Sequence, residues 1–157
     1  MNSSQSASWA IPIWNTPSIP VAGGGLFPVR RIFCVGRNYA AHAREMGHDP
    51  DRELPFFFAK PADAVVGNGT TIPYPDKTED MHPEIEMTVA LKEGGKNVPE
   101  EQALNLVFGY GVGLDLTRRD MQGTAKEMGR PWDMAKGFDQ SAPMCELHSA
   151  SQVGHID

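Results

Sequence analysis

Chemistry in this sequence concentrates at three carboxylates, two lysines and two polar pairs spaced as if on helices. Glu84 and Glu86 stand two apart in Glu84-Ile-Glu86-Met-Thr-Val-Ala-Leu91, a segment that alternates polar and apolar residues. Alternation of period two marks a half-buried strand, so both carboxylates project to one side, about 6.5–7 Å apart along the chain. His82 shares their parity if the strand extends that far. Asp115 closes a second strand-like stretch, residues 110–116, whose other residues are glycine or apolar. Separately, the glutamates fit a solvated strand face and Asp115 fits a helix cap. Together, three carboxylates from two strands suit a hard divalent cation, with water and substrate oxygens completing its shell. Like charges gathered without a cation would repel, and no clustered Cys/His set argues for zinc.

His42 and Glu45, at i and i+3, share a helix face. A histidine held by a carboxylate can take a proton from water, and a surface ion pair has the same spacing. Arg119 and Gln122 are also i and i+3. A guanidinium and an amide on one face can grip a carboxylate, or simply be helix surface. Lys60 and Lys136 each precede a residue that breaks regular structure, Pro61 and Gly137. A partly buried loop lysine can stabilise developing negative charge, although unconstrained loop lysines are commoner.

The elements that must position these groups follow from pattern and punctuation. Residues 1–29, rich in Ser, Pro and Gly, are expected to form an irregular arm, with Trp9, Ile11, Ile13 and Trp14 available to dock on the body. Gly23-Gly24-Gly25 lacks the flanking pattern of a phosphate loop. Short apolar strands are expected over 31–36 and 54–59, with a short helix over 39–46 between them. Residues 65–72 predict strand, turn, strand, and 74–83 predict a loop. A helix over 99–108 has Pro99 at its first position and Glu100 and Glu101 in its first turn. Thr117-x-x-Asp120 resembles a capping box opening a helix that runs to about Met128, with Gly129 as its stop. Residues 132–139 are expected to return as loop and strand, and no internal repeat is present.

The bulk numbers narrow the function classes. The chain has 157 residues, 40% hydrophobic and 22% charged, enough for one globular domain. The formal charge is −6, and basic residues are dispersed apart from Arg30-Arg31 and Arg118-Arg119. This balance argues against nucleic-acid binding. No run approaches the roughly 20 apolar residues of a membrane-spanning helix, and no secretory signal opens the chain. Cys34 and Cys145 form no CxxC, so a reduced cytoplasm is the expected compartment.

The order of motifs is more specific than any one of them. Val35-Gly-Arg-Asn-Tyr-Ala-Ala-His42, Phe58-Ala-Lys60-Pro61, Glu84-Ile-Glu86, the segment Gly109-Tyr110 with Asp115-Leu-Thr-Arg-Arg119-Asp120-x-Gln122, and Trp132-Asp-Met-Ala-Lys136-Gly-Phe-Asp139 follow one another along the chain. In this order they resemble the fumarylacetoacetate hydrolase family over residues 30–145, most nearly its bacterial fumarylpyruvate hydrolases.

The resemblance implies an α+β, mostly β fold over residues 30–157: a mixed, rolled and partly barrel-like sheet with short helices, lacking its C-terminal part. It implies that Glu84, Glu86 and Asp115 hold Mg²⁺ or Mn²⁺, and that His42 and Glu45 activate water. Lys136 would stabilise charge near the metal, Arg119 and Gln122 would orient substrate, and Lys60 would play a supporting role. The implied reaction is hydrolysis of a C–C bond in an acylpyruvate, a small 2-oxo acid, by a cytoplasmic homodimer. Oxaloacetate decarboxylation, isomerisation of a hydroxy-diene-dioate and a non-catalytic remnant are the alternatives. Two departures stand out. The family often has His-His-Glu where this chain has His82-Pro83-Glu84, and the chain stops at Asp157 without the family's later glycine-rich loop. Poor turnover by a lone chain of this length is therefore expected.

Overall fold

The computed structural model describes residues 9–36 and 55–156. The expected helix over 39–46, with His42 and Glu45, lies outside the described residues.

Within the expected N-terminal arm, β1 (Ser18–Pro20) and β2 (Leu26–Pro28) pair as an antiparallel hairpin. Its turn is closed by Gly23, Gly24 and Gly25, all at positive φ, a region that glycine enters without a steric penalty. The arm is thus only partly irregular, because Ile19 and Val29 bury themselves in the core with Ala90 and Leu147. The apolar residues before the hairpin do not dock: Trp9, Ile11, Ile13 and Trp14 are all exposed.

β3 (Ile32–Gly36) and β4 (Phe56–Lys60) form a second antiparallel ribbon. Rather than being buried on both sides, β3 turns Ile32 and Cys34 inward and leaves Phe33 and Val35 exposed. In β4, Phe56, Phe58 and Lys60 share a parity, and Phe56 and Phe58 flank the Trp132 ring at 5.4 and 5.6 Å between centroids. Lys60 is therefore drawn inward at the end of a strand, not left in a loop.

The main sheet has five strands. Its path is β5 (Val65–Gly67), β8 (Ala142–Met144), β7 (Val107–Arg118) and β6 (Met81–Leu91), with β9 (His148–Ser149) also pairing with β7. β5 and β8 are parallel and the remaining pairs antiparallel, so the sheet is mixed. With few short helices the fold is mostly β, and it contains no closed barrel among the described residues.

β6 begins earlier than its pattern predicts and takes His82 and Pro83 into the strand. Pro83 is tolerated because β6 is an edge, where a missing N–H costs little. β7 likewise begins at Val107, inside the stretch expected to be helical. The helix there, α1 (Glu100–Ala103), passes into a 3-10 turn at Leu104–Leu106 and stops. Only β5 forms in the predicted strand–turn–strand over 65–72. Residues 133–136 form a short helix, α3 (Asp133–Lys136), rather than a strand. Between them, α2 (Arg119–Glu127) ends as expected, with Gly129 at φ +61°.

Glycines let β8 and β9 pair closely alongside β7. A Cβ at Gly113 would lie 2.9 Å from Thr88 Oγ1 and 3.1 Å from Met144 Sδ. Gly113→Ala is expected to destabilise the protein by about 1–3 kcal/mol through overpacking, measured as a lower urea midpoint at unchanged m-value.

Candidate active site

Register brings the three expected carboxylates onto the β6–β7 pair, while His42 and Glu45 lie outside the described residues. Glu84 lies opposite Asp115 across the β6–β7 pair, Glu86 lies opposite Gly113, and Thr117 follows two residues after Asp115 on the same face. The protected face of β6 carries Glu84, Glu86, Thr88 and Ala90, while Ile85, Met87, Val89 and Leu91 are exposed, Ile85 at 73%. The strand is half-buried as expected, with its acidic row inward.

Lys136 supplies the counter-charge from α3. Its side chain is 3% exposed, and its Nζ donates to Glu84 Oε2, Asp115 Oδ2 and Thr117 Oγ1, each at 2.6 Å. An ammonium has three donors, so all are used. Lys60, 4% exposed, works from the other side. Its Nζ donates to Leu116 O at 3.0 Å and to the Lys136 carbonyl, and lies 2.9 Å from Asp115 Oδ1. That approach is off the hydrogen-bond direction, so Asp115 Oδ1 is buried without an aligned donor. Ser141 Oγ also donates to the Lys136 carbonyl, at 3.1 Å.

Arg119 opens α2 and turns back toward β6. It donates to the Glu84 Oε1 and Gln122 Oε1 oxygens, and its Nε reaches His82 Nδ1 at 3.4 Å. Gln122 is buried at 3% exposure. The expected pair forms, but as a unit already engaged with Glu84.

The capping box does not form. Arg118 precedes the helix with no side-chain cap bond. Thr117, fully buried, donates to Glu84 Oε2 at 2.9 Å, with the Asp115 carbonyl a second acceptor at 3.2 Å. Asp120 instead accepts from Thr78 Oγ1 at 2.7 Å and from the Glu79 and Met121 amides, tying the 74–80 loop to the helix. Thr117 is the site residue missed from sequence; a hydroxyl two positions from Asp115, on its face of the strand, was the available signal.

Burial opposes ionisation of Glu84, but the hydrogen bond and charge of Lys136, then hydrogen bonds from Arg119 and Thr117, hold its carboxyl down at about 2. Burial lowers the Lys60 pKa, and Asp115 pulls it back up. Burial, reinforced by the charge of Asp115, pushes the Cys34 thiol up to about 11. Beside the cluster, a cavity of about 440 Å³ is lined by Phe56, Phe58, Arg130, Trp132 and Lys136, among others.

Glu84 and Asp115 are joined through an ammonium, and no group of three His, Cys, Asp or Glu side chains forms a metal-binding set among the described residues. The donor chemistry nevertheless fits a hard cation: hard oxygens share one face of paired strands, and Asp115 Oδ1 lacks an aligned donor.

A mostly-β α+β fold that buries two lysines against carboxylates on paired strands defines a charged, enzyme-like site. The chain belongs to the fumarylacetoacetate hydrolase family, whose profile, described as Fumarylacetoacetate (FAA) hydrolase C-terminal, matches residues 31–157. Among solved structures it is similar to fumarylpyruvate hydrolase from Pseudomonas aeruginosa in complex with Mn²⁺ and pyruvate. That match has 54% identity and a TM-score of 0.88, and covers 95% of this chain and 66% of that one. Among curated relatives, a mitochondrial oxaloacetate tautomerase of Arabidopsis thaliana is 42% identical over 81% of this chain and 56% of its own length. An oxaloacetate tautomerase of Escherichia coli is 40% identical over 80% of this chain and 57% of its own. The chain thus spans little more than half the length of these curated relatives.

Two outcomes test the electrostatics. Glu84 ionises more easily in the fold than its ordinary value of 4.5 implies, so the stability it contributes is complete above about pH 4.5 and is lost as the pH falls through about 2. Acid titration followed by circular dichroism should show that loss, reduced in Glu84→Gln. Removing one partner of a buried charge pair typically costs about 3–5 kcal/mol; Lys60→Met is expected to lose about that much in denaturant unfolding.

Proposed function

We propose that this chain is the metal- and substrate-binding portion of an acylpyruvate hydrolase that cleaves fumarylpyruvate to fumarate and pyruvate. The observation that carries the reading is the buried cluster of Lys136, Glu84, Asp115 and Thr117. It is supported by 54% identity to a fumarylpyruvate hydrolase whose structure holds Mn²⁺ and pyruvate.

Glu84, Glu86 and Asp115 would hold Mg²⁺ or Mn²⁺, which when bound supplies Lewis-acid character toward the 2-oxo acid end of the substrate. Of these carboxylates, Glu84 and Asp115 are paired with Lys60, Lys136 and Arg119. Lys136 offsets negative charge developing on the departing pyruvate. Arg119 and Gln122 act as one orienting unit, and Lys60 fixes the backbone that carries Lys136. His42 and Glu45 take the proton from the water that adds to the distal ketone carbon, after which the C–C bond breaks. The aromatic cavity beside Lys136 has a size suited to the acyl tail. On this reading the enzyme is a cytoplasmic homodimer; no helix among the described residues is long and apolar enough to cross a membrane.

A second reading, oxaloacetate tautomerisation or decarboxylation, is favoured by curated relatives bearing those names at 40–42% identity. One assay separates the two. The purified chain is incubated with Mn²⁺ and either fumarylpyruvate or oxaloacetate, following pyruvate release and loss of enol absorbance. The expected result is slow but Mn²⁺-dependent cleavage of fumarylpyruvate, abolished in Glu84→Ala. Turnover of oxaloacetate alone would replace the hydrolase reading with the second one.

A further inference from the structure

We propose that Thr117 is a positioning residue whose buried hydroxyl sets Glu84 and Lys136 for cation binding, a role that rests on the metal reading above. Thr117 has no solvent exposure, so water cannot stand in for its hydroxyl. A hydroxyl has one proton and two acceptor sites. One acceptor site takes the Lys136 ammonium at 2.6 Å, which leaves the proton for an oxygen. Of the two oxygens in reach, the charged Glu84 Oε2 at 2.9 Å outcompetes the Asp115 carbonyl at 3.2 Å.

Lys136 Nζ also donates directly to Glu84 Oε2, closing a triangle of ammonium, hydroxyl and carboxylate. The triangle fixes which Glu84 oxygen faces the lysine and prevents the ammonium from swinging fully onto Asp115. Its third corner is placed by the fold: Thr117 pairs with His82 and Asp115 with Glu84, so Thr117 and Glu84 are diagonal neighbours on one face. Groups that hydrogen-bond a ligating carboxylate tune metal affinity without touching the metal.

The test is calorimetric titration of Mn²⁺ into the purified full chain and its variants. Thr117→Val keeps the shape and deletes the hydroxyl; it is expected to weaken Mn²⁺ binding about 10–100-fold, the usual cost of losing such a partner. Thr117→Ser, which keeps the hydroxyl and loses a methyl, is expected to restore most of the affinity. A role in packing alone would make the Mn²⁺ affinities of serine and valine similar, and that outcome overturns the proposal, as does unchanged Mn²⁺ affinity in a folded Thr117→Val. Thermal melts establish folding; if valine does not fold, Thr117→Ala carries the same expectation. A folded wild-type chain that binds no Mn²⁺ would instead overturn the metal reading itself, and this role with it.

Discussion

The ammonium of Lys136 meets two carboxylates and a hydroxyl with almost no access to water, and the elements around it are arranged to keep it there. Removing such a charge from water costs several kcal/mol, recovered only if every donor finds a well-placed acceptor. Meeting that demand recruits β6, β7 and α3 directly, through Glu84, Asp115 and Thr117. It recruits β4 indirectly, because Lys60 grips the Lys136 carbonyl and the Leu116 carbonyl together. The Phe58 ring centroid lies 4.9 Å from the Lys136 ammonium, adding a cation–π contact.

The fold therefore has two interiors of different character. One is an apolar cluster built by the N-terminal hairpin, Ala90 and Leu147. The other is polar, with Lys60, Asp115, Thr117, Gln122, Lys136 and Ser141 all buried. β6 and β7 run from one to the other, and the glycines of β7 let β8 and β9 pair closely alongside it before it delivers Asp115. The apolar end supplies non-directional cohesion, whereas the polar end fixes direction, as a site that must hold charged groups in one geometry requires.

Local signals in the sequence were legible where their cause was local. Alternation around Glu84 and Glu86 placed both on one strand face, and Gly129 stopped its helix through a left-handed backbone. The misreadings arose where distant partners decided. Thr117 and Asp120 have the spacing of a cap, but Thr117 is captured by Glu84, thirty-three positions away, and Asp120 by Thr78, forty-two positions away. Lys60 and Lys136 look like loop lysines because their burial depends on acceptors far along the chain: the bond from Lys136 to Glu84 spans fifty-two positions. Pro83 suggested a late strand start, and only the edge position of β6 permits an earlier one.

The inward acidic row of β6 also bears on how the β6–β7 pair finds its alignment. A slip of one residue exchanges the two faces of a strand. Here it would turn Ile85, Met87, Val89 and Leu91 inward and send Glu84 and Glu86 to solvent. The native alignment gives Glu84 its Lys136 and Thr117 partners and sets Gly113 and Gly109 where β8 and β9 approach β7 most closely. The contacts of Glu84, Asp115 and Thr117 with Lys136 thus depend on the same register that sets the two faces of the sheet.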